Sequence, residues 1–272
     1  MKLKLDLAQR RLSKLFWLAL VLLCIWVVIR QLPVSWVGGA LASQTGCRVM
    51  LQQPMGTIWQ GSGALAFSEP NASEGGCREP LSVTERFHWE SSCKLLSLSC
   101  NTKIDFGALD QSQLIQWGLG QTQIAGNEIK LPANVLEGLG NPWSTLRPRG
   151  ELGARWTDIH LGSGSENAGS LGVIRIIISN LTSPISPVKP LGSYEMQVNM
   201  TQEGANWNLS TTNGPLLLKG QGEMGGKSDG SAAKSGLRFS GEASAAPEAQ
   251  DSLIGLLSLL GKKEGDVYRL KF

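Results

Sequence analysis

The sequence predicts a mainly β protein: an N-terminal transmembrane helix, then an elongated antiparallel sheet or sandwich, with one C-terminal helix packed on it. Three observations lead there. The chain holds one long apolar run, "LFWLALVLLCIWVVIRQLP", from Leu15 to Pro33. It then carries many short stretches with apolar residues two apart, separated by Gly, Pro and Asn turns. Near its end, "PEAQDSLIGLLSLLGKK" places apolar residues at helical spacing.

The apolar run is uncharged from Leu15 to Ile29 and closed by Lys14 and Arg30. Its length suits either a cleaved signal or a short anchor, since a spanning helix usually needs about 20 residues. Lys14 and Arg30 can stretch their stems along the helix and set their charges among headgroups. Trp17 and Trp26 lie near the ends, where indole rings favour the membrane interface. The small-x-small candidate for cleavage, Ala40-Leu41-Ala42, comes well past the apolar core. The expectation is therefore a retained anchor over 15–32. Lys2, Lys4, Arg10, Arg11 and Lys14 face only Asp6 before it, which makes 1–14 a cytoplasmic basic stub and leaves 33–272 outside.

That topology changes the meaning of the net charge of +3. Residues after Arg30 hold 19 basic and 21 acidic side chains, so the body is mildly acidic. It has no electrostatic footprint for nucleic acid. Cys24 lies in the apolar run, while Cys47, Cys77, Cys93 and Cys100 fall where disulfides persist. Four cysteines allow three pairings. The short "CKLLSLSC" segment favours Cys93–Cys100 with Cys47–Cys77, and the other two stay open. A metal site is the weaker alternative, because the spacings contain no C-x-x-C pair.

The elements follow in order. "LPVSWVGGALASQTG" suggests a short helix with Pro33 as its first residue. "CRVMLQQPMGTIWQGSGALAF" reads as two strands meeting at Pro54-Met55-Gly56, and "SEPNASEGGCREP" as a loop. "LSVTERFHWES" alternates, setting Val83, Glu85, Phe87 and Trp89 on one side. "NTKIDFGA", "SQLIQWGLGQTQIAGNEIKLP" and "GELGARWTDIHL" continue the pattern. "GVIRIIISNL" is nearly all apolar and predicts a strand buried on both faces. "TSPISPVKPLG" cannot be a central strand and leads into "SYEMQVNM". Asn213-Gly214 marks a hairpin in "GANWNLSTTNGPLLLKGQGEM". "GKSDGSAAKSG" is a connection, and "LRFSGEASA" should pair back. The helix spans about 247–260. Pro247 and Glu248 suit its first turn, Gly261, Lys262 and Lys263 its end, and Leu253, Ile254, Leu256, Leu257 and Leu260 its sheet-facing side. "DVYRLKF" is a last strand.

No constellation for catalysis stands out. His88 and His160 are far apart in strand patterns, and a half-buried sheet position accounts for both. Asp105 and Asp110 suit a solvated surface better than a paired acid and base. Gly220, Gly222 and Gly225 match G-x-G-x-x-G, but no helix follows to receive a pyrophosphate, so they belong to a strand and its turn. Nine tryptophans against two tyrosines is an unusual balance. Trp59, Trp89, Trp117, Trp143, Trp156 and Trp207 either fill a core or line an apolar groove. No catalytic, cofactor or metal residue is assigned.

The basic start with its single anchor is followed by "LPVSWV", "MGTIWQGSG", "GELGARWTDI", "PLGSYEMQVNM", "LSTTNGPLLLKGQGEM" and "LIGLLSLLGKK". In this order the chain resembles the type II secretion system protein N family over nearly all its length. The stretch from "CRVMLQQP" to "GTIWQG" is also similar to the start of AsmA-type periplasmic domains. The first resemblance implies a bitopic inner-membrane protein with a periplasmic body. It would be an accessory part of the machine that exports folded proteins across the outer membrane, with other envelope components of that system as partners. It carries over no catalytic residue and no cofactor. The second implies a curved sheet with an apolar interior, and lipid as an alternative ligand.

Overall fold

The computed structural model describes residues 2–68, 77, 79–80, 82–94, 98–140, 143–162, 171–201, 204–225 and 238–271. Most of the loop expected at 68–80 and all of the connection expected at 226–236 lie outside them.

Helix α1, Lys2–Arg30, contains the apolar run, whose large side chains from Phe16 to Ile29 are exposed. Among the described residues no helix is long and apolar enough to cross a membrane. The uncharged stretch of α1 is only 15 residues long. At about 1.5 Å per residue it falls short of a hydrocarbon layer of about 30 Å. Helix α2, Ser35–Gln44, follows as expected, although Pro33 precedes it and bridges to Thr57 instead of opening it.

Among the described residues, sixteen strands follow. β1 (Val49–Gly56), β2 (Gln60–Phe67), β3 (Ser82–Lys94), β4 (Ser99–Asp105), β5 (Gln113–Gly118) and β6 (Gln121–Ile124) form an antiparallel meander. Pro54 and Met55 lie inside β1 at a bulge, where Gln53 takes a positive φ, and the chain reverses three residues later than expected. β3 also bulges, spending three residues from Val83 to Arg86 against two from Ala66 to Ala64. The bulge breaks the predicted alternation: Val83 is exposed, while Phe87 and Trp89 stay together at 5.6 Å.

β7 (Asn127–Pro132) belongs to a second sheet. An unforeseen 3-10 turn, Ala133–Leu139, and a one-turn helix α3, Trp143–Leu146, lead to β8 (Arg149–Trp156). β9 (Ile159–Gly162) returns to the first sheet, and β10 (Gly172–Thr182) enters the second. β11 (Gly192–Thr201), β12 (Gly204–Asn213), β13 (Leu216–Met224) and β14 (Arg238–Ala245) extend it. The β12–β13 reversal falls at Gly214-Pro215, one residue beyond the Asn-Gly prediction. A second 3-10 turn, Pro247–Ala249, opens helix α4, Gln250–Leu260. Lys262 and Lys263 then enter a short strand β15 (Lys262–Glu264) instead of ending the helix, and β16 (Val267–Lys271) closes the fold.

Where an elongated sheet or a sandwich was expected, the described strands form two antiparallel sheets, of seven and nine strands. They share one long bent hairpin. β6 pairs with β9 through Ile124↔Ile159 and β7 with β8 through Asn127↔Trp156, in a single register.

The nine-stranded sheet is two-sided in chemistry. Ile174, Ile176 and Ile178 of β10 stand beside Val198, Met196 and Tyr194 of β11, which in turn meet Trp207, Leu209 and Thr211 of β12. The other face carries Glu195, Gln197, Asn199, Asn206 and Asn208, with cross-strand pairs such as Arg175–Glu195 at 3.0 Å. β10 is not buried on both faces, because Ile177 sits on this polar side and is 40% exposed. Helix α4 covers one end of the apolar face. Leu253, Leu256 and Leu257 are buried with Tyr194, Leu216, Ala243, Tyr268 and Leu270, each leucine contributing about 1.5–3 kcal/mol. Ile254, expected on that side, is exposed. Burial pushes the Tyr194 hydroxyl well above its ordinary pKa, so it remains a neutral donor to the Leu216 carbonyl at 3.1 Å.

Glycines make room for rings. A Cβ on Gly222 would fall inside the Trp207 indole, and one on Gly220 would meet Phe239. The G-x-G-x-x-G match is thus strand backbone under aromatic rings, with Gly225 in the following turn. Gly222→Val should cost about 1–3 kcal/mol by displacing Trp207. Urea unfolding followed by indole fluorescence checks this, and an unchanged midpoint would show that the ring does not rest on that backbone.

Candidate functional site

Three features concentrate the polar chemistry and the covalent constraints: the junction of α1 with the first sheet, the disulfides, and the bend shared by the two sheets.

At the junction, Thr57, Ile58 and Trp59 connect β1 to β2. The Thr57 hydroxyl accepts from the amides of Trp59 and Gln60 and so holds the turn closed. The turn grips the helix end. Trp59 Nε1 donates to the Ile29 carbonyl at 2.7 Å, the Ile58 amide to Leu32 at 3.0 Å, and the Val34 amide to Gly56 at 3.3 Å. A helix leaves its last carbonyls without internal partners, and here an indole from the sheet takes one of them. Trp89 donates to the Thr57 carbonyl and lies over Gly61, which backs the turn. "GTIWQG" is therefore the device that holds α1 to the sheet.

Both favoured disulfides form. Cys93 and Cys100 face each other across β3 and β4, with Cα atoms 4.0 Å apart. Cys47, at the start of the sheet region, joins Cys77 across a separation of 30 residues. Cys24 is free and exposed.

At the bend, side chains replace ladder bonds. The Gly126 amide donates to Asp158 Oδ1 at 2.6 Å, and Trp156 Nε1 donates to the Ala125 carbonyl at 3.0 Å. Gln113 and Asn127 are buried polar residues: Gln113 Nε2 donates to Ala125, while Asn127 Nδ2 donates to the Gln111 carbonyl and to Gln113 Oε1. Of these four side chains, Trp156 is among the tryptophans expected in a core or groove, while Asp158, Gln113 and Asn127 were not expected at a site. The signal for them was the break in apolar alternation at Ala125-Gly126 and again at Thr157-Asp158.

The candidate titratable groups do not converge on a reacting centre. His88 lies opposite Asp105 across β3 and β4, but the Ser112 hydroxyl donates to Asp105 itself, not to an imidazole. That hydrogen bond, with Lys103 at 3.2 Å, holds the Asp105 carboxyl below its ordinary pKa. A carboxylate held below its ordinary pKa is a weak base, so Ser112 gains little activation from it. Asp110 instead bonds through its backbone amide to the Glu128 carbonyl. His160 meets Gln123 at 3.0 Å. Among the described residues no group of three His, Cys, Asp or Glu could hold a metal ion.

The remaining predicted positions lie on α1. Trp17 and Trp26 are exposed, and the Arg30 guanidinium sits 5.5 Å from the Trp26 ring. The Lys14 side chain lies outside the described set. Of the tryptophans weighed as core or groove, Trp117 is exposed, and Trp59, Trp89, Trp143, Trp156 and Trp207 are half-buried.

A family model described as "Type II secretion system (T2SS), protein N" matches residues 48–271. The chain belongs to that family. A member of the protein N family is a component of the type II secretion system. Both sheets and α4 lie inside the match, as does the "GTIWQG" turn. No curated protein and no solved structure matches the chain.

Trp59→Phe keeps the ring and removes the donor to Ile29. A hydrogen bond of this kind contributes about 0.5–1.5 kcal/mol, so amide exchange in residues 30–34 should quicken about twofold to tenfold. Exchange unchanged there would deny the indole its role. Cys47→Ser/Cys77→Ser should cost about 3.7 kcal/mol and Cys93→Ser/Cys100→Ser about 2.5 kcal/mol by loop entropy. Urea midpoints of the two variants test that order, and the reverse order would overturn it.

Proposed function

We propose that this chain is an accessory inner-membrane component of the type II secretion system, with its sheets in the periplasm serving as a docking module for other envelope components. Membership of the protein N family over residues 48–271 carries this reading. Its placement rests on physical support from three sides. The two disulfides suit an oxidising compartment. The basic residues before Leu15 favour a cytoplasmic N-terminus. Lys14 and Arg30 can extend the reach of the 15-residue apolar run to the headgroups, with Trp17 and Trp26 as interface anchors.

Docking, not catalysis, is the role that suits the arrangement of side chains. The polar face of the second sheet is a broad, rigid surface of amides and cross-strand ion pairs, including Glu128–Arg155 and Arg238–Glu223. Such a surface recognises a partner by complementary charge and hydrogen bonding. Affinity capture of the full chain from detergent-extracted envelopes should recover other secretion components, and its deletion should impair export. Recovery of none, with export unchanged, would overturn the proposal.

A second reading, an AsmA-like module that binds lipid, is favoured by one observation. Helix α4 covers only one end of the apolar face, leaving Ile174, Ile176, Met196, Val198 and Trp207 half-buried and Met224 exposed. Native mass spectrometry of gently purified protein separates the readings. Co-purified lipid that is lost on Met196→Lys supports the trough, and protein that carries none removes it.

A further inference from the structure

The first sheet ends in an apolar tip beside α1. The register of β3 places it. Glu90 pairs with Gln60 and the Ser91 amide donates to the Trp59 carbonyl, so the turn gripping Ile29 lies level with Ser91. β3 then runs on to Lys94, about 10 Å further at about 3.3 Å per residue. Lys94, Ser99, Gly118, Gln121 and Gly162 form the last row across β3, β4, β5, β6 and β9. Thus Leu98, the β5–β6 turn and the end of β9 lie past the junction, at the end of the sheet to which α1 is tied.

What these turns carry is unusual for a soluble loop. Leu119 is 80% exposed, Leu98 56% and Trp117 40%, and Leu161 is exposed on the same face as Trp117. Hairpin turns facing water are normally built of Gly, Asn, Asp and Ser. The segment from Ser91 to Ile104 holds no acid and two lysines, and that from Gln111 to Asn127 holds no charged residue at all. The Cys93–Cys100 disulfide lies directly behind the β3–β4 turn. The Trp117 indole donates to Thr102 Oγ1 at 2.9 Å, which fixes its ring at the tip.

We propose that this tip is a second membrane contact, with Leu98, Leu119 and Trp117 entering the headgroup–acyl boundary of the bilayer that holds α1. The inference rests on the membrane reading of α1 and adds the orientation of the body upon it. Exposed leucine and tryptophan on segments 91–104 and 111–127, which hold no acidic residue, suit that boundary, and lysine suits anionic headgroups. The occupant is lipid, because the tip shares its end of the sheet with the apolar helix. Two attachments, one spanning and one dipping, would fix the tilt of the first sheet to the membrane plane.

The test uses the full chain reconstituted into vesicles of phosphatidylethanolamine and phosphatidylglycerol. p-Benzoylphenylalanine replaces one residue at a time: Leu119 at the tip, Leu22 in α1, or Asn208 on the polar face of the second sheet. After irradiation, lipid adducts are counted by mass spectrometry. Adducts at Leu22 and Leu119, each at least about tenfold above Asn208, are the expected result. Adducts at Leu22 with Leu119 no higher than Asn208 overturn the tip and leave the anchor standing. Adducts at Leu119 without Leu22 overturn the anchor and with it the tip as a second contact beside α1, and their absence at both positions overturns both. Capture of a protein in place of lipid at Leu119, with envelope extract added, also overturns the proposal.

Discussion

The architecture depends on a nine-stranded sheet that is apolar on one face and polar on the other in every strand but the short edge strand β15. With a side-chain period of two, each strand must present its isoleucines, leucines and methionines to the same side as its neighbours, or lose the whole register. Tyr194, Met196 and Val198 do so in β11, opposite Thr211, Leu209 and Trp207 in β12. The opposite face answers with amides and ion pairs that water already satisfies. Everything else in the fold is a response to that one-sidedness. Helix α4, α3 and the 182–191 segment cover one end of the apolar face, and rings lying over Gly220 and Gly222 fill space where no side chain projects.

A sheet of sixteen strands with one wet face would twist far before its ends met a common core. The chain avoids this by bending a hairpin within both strands at the same level. The bend interrupts the ladder between Ile124 and Asn127, and buried Gln113 and Asn127 offset this together with Asp158 and the Trp156 indole. Side-chain amides suit this work, since each offers a donor and an acceptor to an irregular backbone. The 3-10 turn after β7 then reaches both sheets. Gly138 presses on Phe67 of the first, and the residues that follow take Trp143 and Leu146 into the core of the second.

The "GTIWQG" stretch gains a physical meaning at the junction of helix and sheet. Trp59 is neither a core filler nor part of a groove: its indole takes a carbonyl at the end of α1. Holding an apolar helix by hydrogen bonds from a tight turn fixes where the body stands relative to that helix. A flexible linker would leave the sheets free to tumble. In the proposed docking role, a fixed stance would bring the same polar surface to each partner.

Much was legible in the sequence because it follows from local chemistry. Period-two alternation marks most strands, Pro247 and Gly261 bracket the C-terminal helix, and the seven-residue separation of Cys93 and Cys100 favours a cross-strand bridge. Charge around the apolar run and the order of family motifs required no coordinates. What tertiary structure alone decided are the matters of pairing. The two bulges that move Pro54 into a strand and expose Val83 depend on the partner strand. The division into two sheets depends on which neighbours β7 and β9 find, and Ile177 stays exposed because nothing packs on its side. The burial of Gln113 and Asn127 is likewise invisible along the chain, since a polar residue in a strand looks solvated until its partners are known. Alternation is written in a strand's own residues, whereas its neighbours and its coverage are settled by contacts between residues far apart in sequence.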